Sequence, residues 1–177
     1  MAQFGRLDAA FNNAGVPMHN KLVEELTEAE WDKVMNVNVK TPFFLTQALH
    51  PLLVKAAAGR TAKVINVASI DGISVNPLET YSYAASKAGL IHLTKRLSLR
   101  LARDNIAVSG IAPGAFASEM NKDARDNGDQ VSKRIPAGRI GQDEDMAGIA
   151  IYLASRAGDY VVGQTIAVDG GASLARG

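Results

Sequence analysis

Cysteine is absent from the chain, so disulfide frameworks and thiolate metal sites are excluded. Neither sign of charge dominates. The 19 basic and 18 acidic residues leave a net charge of +1, which gives no electrostatic footprint for nucleic acid or an anionic membrane. The basic group Lys95, Arg96, Arg100 and Arg103 reads as the wet side of a helix. No apolar run approaches the ~18 residues that a membrane-spanning helix needs. The opening, Met1 to Asp8, lacks the basic start and long apolar stretch of a signal peptide. A cytoplasmic protein with no membrane or nucleic-acid partner is the expectation. No repeat, low-complexity tract or linker divides the sequence, so residues 1–177 read as a single domain.

Four short β-rich runs are present: Leu7–Asn12, Ala62–Val67, Ile106–Ile111 and Thr165–Asp169. Most are nearly continuous in apolar residues, as expected of strands covered on both faces. Helical patterns separate them. One opens at the capping box Thr27–Glu30 and runs towards Gly59 with prolines inside it. A second covers about Ala84–Arg103, with Leu90, Leu93 (or Thr94), Leu97 and Leu101 at helical spacing. A third covers about Gln142–Ser155, with acids in its first turn. The stretch Met120–Ile135 is polar and irregular, with room for a short helix. This alternation predicts parallel strands joined by right-handed crossovers in a doubly wound α/β sheet. Trp31 and the Phe43–Phe44 pair read as core.

The chemistry centres on Tyr83-Ala-Ala-Ser-Lys87. A spacing of four puts both side chains on one helix face. A nearby ammonium favours the phenolate and brings the hydroxyl towards useful acid/base strength. Ser69 follows the strand Ala62–Val67, at the carboxyl edge where open α/β sheets bind ligands. Its hydroxyl could hold a substrate oxygen while the tyrosine exchanges a proton with it. Alone, Tyr-x-x-x-Lys also suits a solvated helix face, and Tyr81 is a decoy because Ala85 stands where its lysine would be.

Asn12-Asn-Ala-Gly15 ends the first strand, and reads either as a tight turn or as a place where backbone approaches a ligand closely. Asn38 is a poor fit to a helix interior, and Pro42 cannot donate the amide hydrogen that would bond its carbonyl. That carbonyl is predicted to be available to water, or the helix is simply kinked. Pro113-Gly-Ala-Phe-Ala-Ser118 follows the third strand at the same edge. The histidines His19, His50 and His92 share no spacing, and no metal is expected.

Together these residues closely resemble the short-chain dehydrogenase/reductase family, in its short single-domain branch. The matching positions are Asn12-Asn-Ala-Gly15, Asn38, Ser69, Tyr83 with Lys87, Pro113-Gly114 with Ser118, and the ending Val168-Asp-Gly-Gly171. They fall in the family's order and spacing across essentially the whole chain. The resemblance implies a Rossmann-like three-layer α/β/α fold, an NAD(P)-dependent oxidoreductase and a small-molecule carbonyl or alcohol substrate. It implies Tyr83 as general acid/base, Ser69 as the group orienting the substrate oxygen, and Lys87 as the residue holding the nicotinamide ribose. Asn38 would keep a relay water through its main chain. Asn12, Ala14 and Gly15 would line the middle of the cofactor, and Pro113, Gly114, Phe116 and Ser118 would position the nicotinamide. Met120–Ile135 would be the substrate lid. Enoyl reductases of related fold place more residues between the tyrosine and the lysine, and the gap of three argues against them.

One departure accompanies the match. In the family, the Asn-Asn-Ala-Gly turn ends the fourth strand rather than the first. The expectation is therefore an N-terminally truncated chain lacking three β–α units, on the order of 75 residues, with their glycine-rich phosphate loop and the residue choosing NAD or NADP. Leu7–Asn12 would then be an exposed edge, and the chain would assemble as a homo-oligomer, a dimer or tetramer, through that edge or through its long helices. The alternative is a non-enzymatic remnant that keeps the fold and the oligomer interface without effective cofactor binding.

Overall fold

A computed structural model describes residues 4–17, 21–75 and 77–175. Among these described residues, four strands form one parallel sheet in chain order: β1 (Ala9–Asn12), β2 (Ala62–Val67), β3 (Ile106–Pro113) and β4 (Thr165–Val168). The register pairs Val64 with both Ala10 and Val108, and Ile111 with Ile166. The central strands β2 and β3 are buried almost throughout, which explains their unbroken apolar runs. Lys63 interrupts the β2 run, and an ion pair with Asp159 at 2.5 Å accounts for it.

The first helical stretch starts where the capping box predicts. Glu30 donates its backbone N–H to Thr27 Oγ1, and the Thr27 N–H returns to the Glu30 carboxylate. It is not a uniform helix. Helix α1 (Glu28–Met35) widens into a π-helical turn over Asn36–Lys40 before α2 (Thr41–Ala57) continues. Pro42, at the start of α2, cannot supply the hydrogen bond that an α-helical path would require. The wider turn routes the backbone around that gap, with Thr41 N–H bonding the Asn36 carbonyl instead.

Helix α3 (Tyr81–Leu101) begins earlier than its apolar periodicity predicts. The polar stretch after β3 holds two short helices, α4 (Lys122–Asp126) and α5 (Gly128–Ser132). Helix α6 (Asp143–Ala154) starts from a second capping box, Gln142 with Asp145, and α7 (Ala172–Ala175) follows β4.

Helices α2 and α3 pack on one side of the sheet, with Leu53, Ala56 and Leu101 against Val64, Ile106 and Val108. Helix α6 packs on the other, with Leu153, Met146 and Ile149 against Ile65, Ile111 and Ile166. The three-layer doubly wound fold follows directly. The strands advance in one direction while the covering helix changes sides after β3. The last crossover therefore has the opposite hand to the first two, which corrects the expectation of uniformly right-handed connections.

The aromatic residues also require correction. Trp31 and Phe44 are 38% and 52% exposed. The stretch α1–α2 buries Val34, Asn38, Thr46 and Leu53, which leaves Trp31 and Phe44 on its outer face. Phe43 and Phe44 meet edge to face at 5.1 Å.

Candidate active site

Strand β2 ends at Val67, and Ser69 follows in extended conformation as the cap of a 3₁₀ turn, Ile70–Gly72. The Ser69 Oγ accepts the Asp71 N–H at 3.1 Å. Gly72 is pressed directly onto α3: a Cβ there would lie 2.6 Å from backbone atoms of Lys87 and Ala88. No other residue permits that approach without moving the turn or the helix. The same contact brings the Ser69 turn up to the first two turns of α3, where Tyr83 hydrogen-bonds with Ser69. One turn further on, the buried Lys87 donates to the Val67 carbonyl at 2.8 Å and lies 5.6 Å from the Tyr83 ring centroid.

Burial lowers the pKa of Lys87 to about 8, because the charged form loses its hydration. Tyr83 moves up. Burial is the main cause, the Ser69 hydrogen bond opposes it, and the negative charge of Asp71 adds to it. The sequence-based expectation that the lysine would draw the phenol down is therefore corrected. Lys87 is engaged with a backbone carbonyl and its own ammonium is weakened by burial, so desolvation of the phenol prevails.

Asn38, 1% exposed, lies in the π-helical turn. Its side chain clamps the backbone of Val16, accepting from the N–H at 2.9 Å and donating to the carbonyl at 3.0 Å, and it also donates to Ser86 Oγ. Asn38 thus fixes the loop that follows Asn12-Asn-Ala-Gly15. At Gly15 a Cβ would stand 3.4 Å from both Asn38 Oδ1 and Lys87 Nζ, so the backbone here passes close to the lysine head. Ala14 is exposed beside it. The Asn12 side chain points the other way. It donates to Asn66 Oδ1 at 2.7 Å, and Asn66 in turn donates to Thr94 Oγ1 at 2.9 Å. The Asn12 amide nitrogen also donates to Thr46 Oγ1 at 3.3 Å, so it is committed to the protein interior.

Pro113 and Gly114 leave β3 at the same carboxyl edge. Gly114 is needed there, because a Cβ would meet Asp169 at 2.6 Å. Phe116 bridges to Gly141, and Ser118 is exposed, its Oγ accepting the Asn121 N–H at 3.1 Å. Phe116, Arg139, Asp145 and the Asp169–Gly171 turn line a cavity of about 370 Å³. Away from this edge, His50 pairs with Asp104 at 2.8 Å and His92 is exposed. His19 lies outside the described residues. Among the described residues, no cluster of His, Asp or Glu could hold a metal ion, and no helix is long and apolar enough to cross a membrane.

A family model described as enoyl-(acyl carrier protein) reductase matches residues 1–173. Known proteins align over nearly the whole chain. A 3-oxoacyl-(acyl-carrier-protein) reductase, FabG, of Thermotoga maritima is 40% identical over 170 residues, 96% of this chain and 67% of that protein. The chain belongs to the short-chain dehydrogenase/reductase family. It is therefore similar to enzymes that are oxidoreductases. A 2-dehydro-3-deoxy-D-gluconate 5-dehydrogenase of Dickeya dadantii is also 40% identical, over 97% of this chain and 67% of that protein. Among solved structures, the RhlG/NADP active-site complex of Pseudomonas aeruginosa superposes with a TM-score of 0.90 at 40% identity. It is covered over 67% of its length by 96% of this chain. A gluconate 5-dehydrogenase from Burkholderia cenocepacia, in complex with NADP and tartrate, gives 0.88 at 35% identity, with coverage of 98% and 67%.

Several supports of this short-chain dehydrogenase/reductase site escape a reading of the sequence. Asn66, Thr94, Ser86 and the Val67 carbonyl reach their partners only in the folded chain. Gly72 left one usable signal, a glycine three residues after the candidate serine.

Proposed function

We propose that this chain carries the catalytic residues of an NAD(P)-dependent oxidoreductase acting on a small carbonyl or alcohol, with Tyr83 as its general acid/base. The observation supporting this most strongly is the Ser69–Tyr83 hydrogen bond, with buried Lys87 one helical turn away. In reduction, the Tyr83 hydroxyl gives its proton to the substrate oxygen as that oxygen becomes an alcohol. In oxidation the same oxygen takes the proton back. Ser69 holds the substrate oxygen in reach of Tyr83. Its position is set by the Asp71 N–H and by Gly72 against α3.

The residues present fit a nicotinamide cofactor on chemical grounds. Lys87 has three N–H donors and spends one on Val67, which leaves two for ribose hydroxyls. Gly15 opens the space beside it that a side chain would fill. The cofactor, when bound, supplies or accepts the hydride. Lys87 would hold its ribose, while Asn12 (through its backbone), Ala14 and Gly15 would line its middle. Pro113, Gly114, Phe116 and Ser118 would border the nicotinamide. Asn38 supports the lysine by fixing the Val16 loop, and its main-chain carbonyl would carry a relay water. NADP accompanies the Pseudomonas and Burkholderia relatives, and either NAD or NADP suits the residues described. Carbonyl rather than enoyl reduction is favoured by the three-residue gap between Tyr83 and Lys87.

The partner is a second copy of the chain. Phe44, Leu45 and Val54 on α2, with Leu99 on α3, are exposed large apolar residues on the outer surface of the helical layer. A second reading, a fold that assembles without turnover, is favoured by the open edge of β1. Turnover with a panel of ketones and alcohols, with NADH and NADPH, separates the two. The enzyme reading expects Tyr83→Phe to lower kcat/KM by ~10²–10⁴-fold with the fold intact by circular dichroism. Activity that survives this substitution would remove Tyr83 from the mechanism, and a wild-type chain without turnover would establish the second reading.

A further inference from the structure

Two buried serines of helix α3, Ser86 and Ser98, look alike from the helix itself. Ser86 Oγ donates to the Tyr83 carbonyl at 2.7 Å, and Ser98 Oγ donates to the Lys95 carbonyl at 2.8 Å. Each hydroxyl hydrogen thus returns to the carbonyl three residues back, which leaves the oxygen able to accept. At Ser86 a side chain from another element takes up that capacity. Asn38 Nδ2, in the π-helical turn, donates to it at 3.0 Å.

The direction of each bond in this chain is fixed. Asn38 meets both polar groups of Val16, so its oxygen must face the N–H and its nitrogen the carbonyl. A flipped amide would set acceptor against acceptor and donor against donor. The second N–H of Asn38 therefore belongs to Ser86, which accepts it and gives its own hydrogen to Tyr83. Ser86 is 0% exposed and Asn38 1%, so bulk water replaces neither partner. Removing the hydroxyl would leave an N–H of Asn38 unpaired in the interior, a cost relieved only when the amide leaves its place.

The loop that Asn38 holds lies against the lysine. A Cβ on Gly15 would stand 3.4 Å from both Asn38 Oδ1 and Lys87 Nζ. The same stretch of backbone thus touches the amide anchored by Ser86 and the ammonium of the next residue in α3. We propose that Ser86 is a positioning residue for the nicotinamide cofactor. Its hydroxyl anchors Asn38, and with it the Gly15–Val16 backbone, to the helix turn that carries Tyr83 and Lys87. The backbone lining the cofactor and the lysine holding its ribose then keep one spacing. The inference rests on the assignment of Gly15 and Lys87 to the cofactor.

The test compares Ser86→Ala with Ser98→Ala, which removes the matching bond about three helical turns away and leaves Asn38 its partners. Ser86→Cys, of similar size and a weaker acceptor, serves if the alanine variant does not fold. The first readout needs no cofactor: hydrogen exchange at the Val16 amide, followed by NMR. It is expected to quicken about tenfold in Ser86→Ala, as an unmade buried bond favours local opening, and to stay at the wild-type rate in Ser98→Ala. Exchange that is unchanged in Ser86→Ala, or equally quickened in both variants, overturns the proposal. The second readout is affinity for NADH and NADPH by fluorescence titration. Ser86→Ala is expected to raise Kd about tenfold, and Ser98→Ala to leave it unchanged. An equal Kd in wild type and both variants overturns the positioning role, whatever the exchange does. If wild type binds neither nucleotide, the cofactor assignment is what fails, and Val16 exchange alone then decides whether Ser86 anchors the loop.

Discussion

On the side of the sheet covered by α2 and α3, Leu53, Val64 and Val108 are wholly buried, and Asn12, Asn66 and Thr94 form a chain of hydrogen bonds between strands and helix. On the other side α6 packs on β2, β3 and β4, while Phe11 on β1 stays 44% exposed. The candidate catalytic residues depend on the first side. Tyr83 and Lys87 ride on α3, and their distance from Ser69 is set by how closely that helix approaches the sheet. An ångström of slack would separate the pair from the serine. The second side carries apolar cover, where displacement moves no reacting atom.

The comparison breaks first if the helical layer proves tolerant. Leu53→Ala removes a fully buried side chain from between α2 and the sheet. A loss of about 2–5 kcal/mol in unfolding free energy is expected, measured by urea denaturation. A loss below ~1 kcal/mol would show a layer able to collapse around the cavity, and the precision argued for it would be gone.

The sequence showed the layer but not its precision. Local signals survived well: the capping box at Thr27, the apolar runs of β2 and β3, and the leucine spacing of α3 all state their own structure. The Tyr83–Lys87 pair was legible for the same reason, being two residues of one helix. What remained hidden depends on distant partners. Asn38 meets Val16 and Lys63 meets Asp159 across 22 and 96 positions of sequence, and nothing local in either residue announces the match. The π-helical turn was half visible. Pro42 announced a missing hydrogen bond, but whether the helix would kink or widen depended on Asn38 packing against Val16 and Ser86. The upward shift of Tyr83 was equally out of reach, because burial, its main cause, belongs to the tertiary structure.

A smaller effect sharpens the comparison through two buried lysines. Lys63, on the α6 side, faces the carboxylate of Asp159, whereas Lys87 faces a neutral carbonyl. Lys87 has its pKa lowered from 10.5 to about 8 by burial. Below about pH 8 both folded and unfolded chains carry its proton, and the cost of burying the charge is present in full. Between about 8 and 10.5 the unfolded chain holds a proton that the folded one has lost, so stability rises with pH through that window. The rise is bounded at roughly 3 kcal/mol. Tyr83, shifted upwards, acts oppositely only above its ordinary value of 10.0, which leaves the range below pH 10 to the lysine. Urea midpoints at pH 7.5 and 9.5 should diverge between wild type and Lys87→Met, with the upward trend weaker in the variant. Parallel trends would mean that Lys87 is better hydrated than its burial implies.

The smallest expected change in stability lies on the open side and carries the largest consequence for assembly. Phe11 sits on β1, the edge strand, with its ring partly in solvent. Phe11→Lys should alter unfolding free energy by no more than ~0.5 kcal/mol, since little packing is lost. A charge on an edge strand nevertheless opposes pairing with another chain. Sedimentation equilibrium distinguishes the two surfaces that could hold copies together. If copies join through β1, the lysine variant shifts towards monomer while Leu45→Lys on α2 does not. If they join through the outer surface of the helical layer, the pattern reverses. The layer that positions the chemistry would then also carry the assembly, and the two sides of the sheet would differ in function as well as in packing. A wild-type chain that sediments as a monomer at every concentration would refute both, leaving Phe11, Phe44 and Leu45 as exposed apolar residues without a partner.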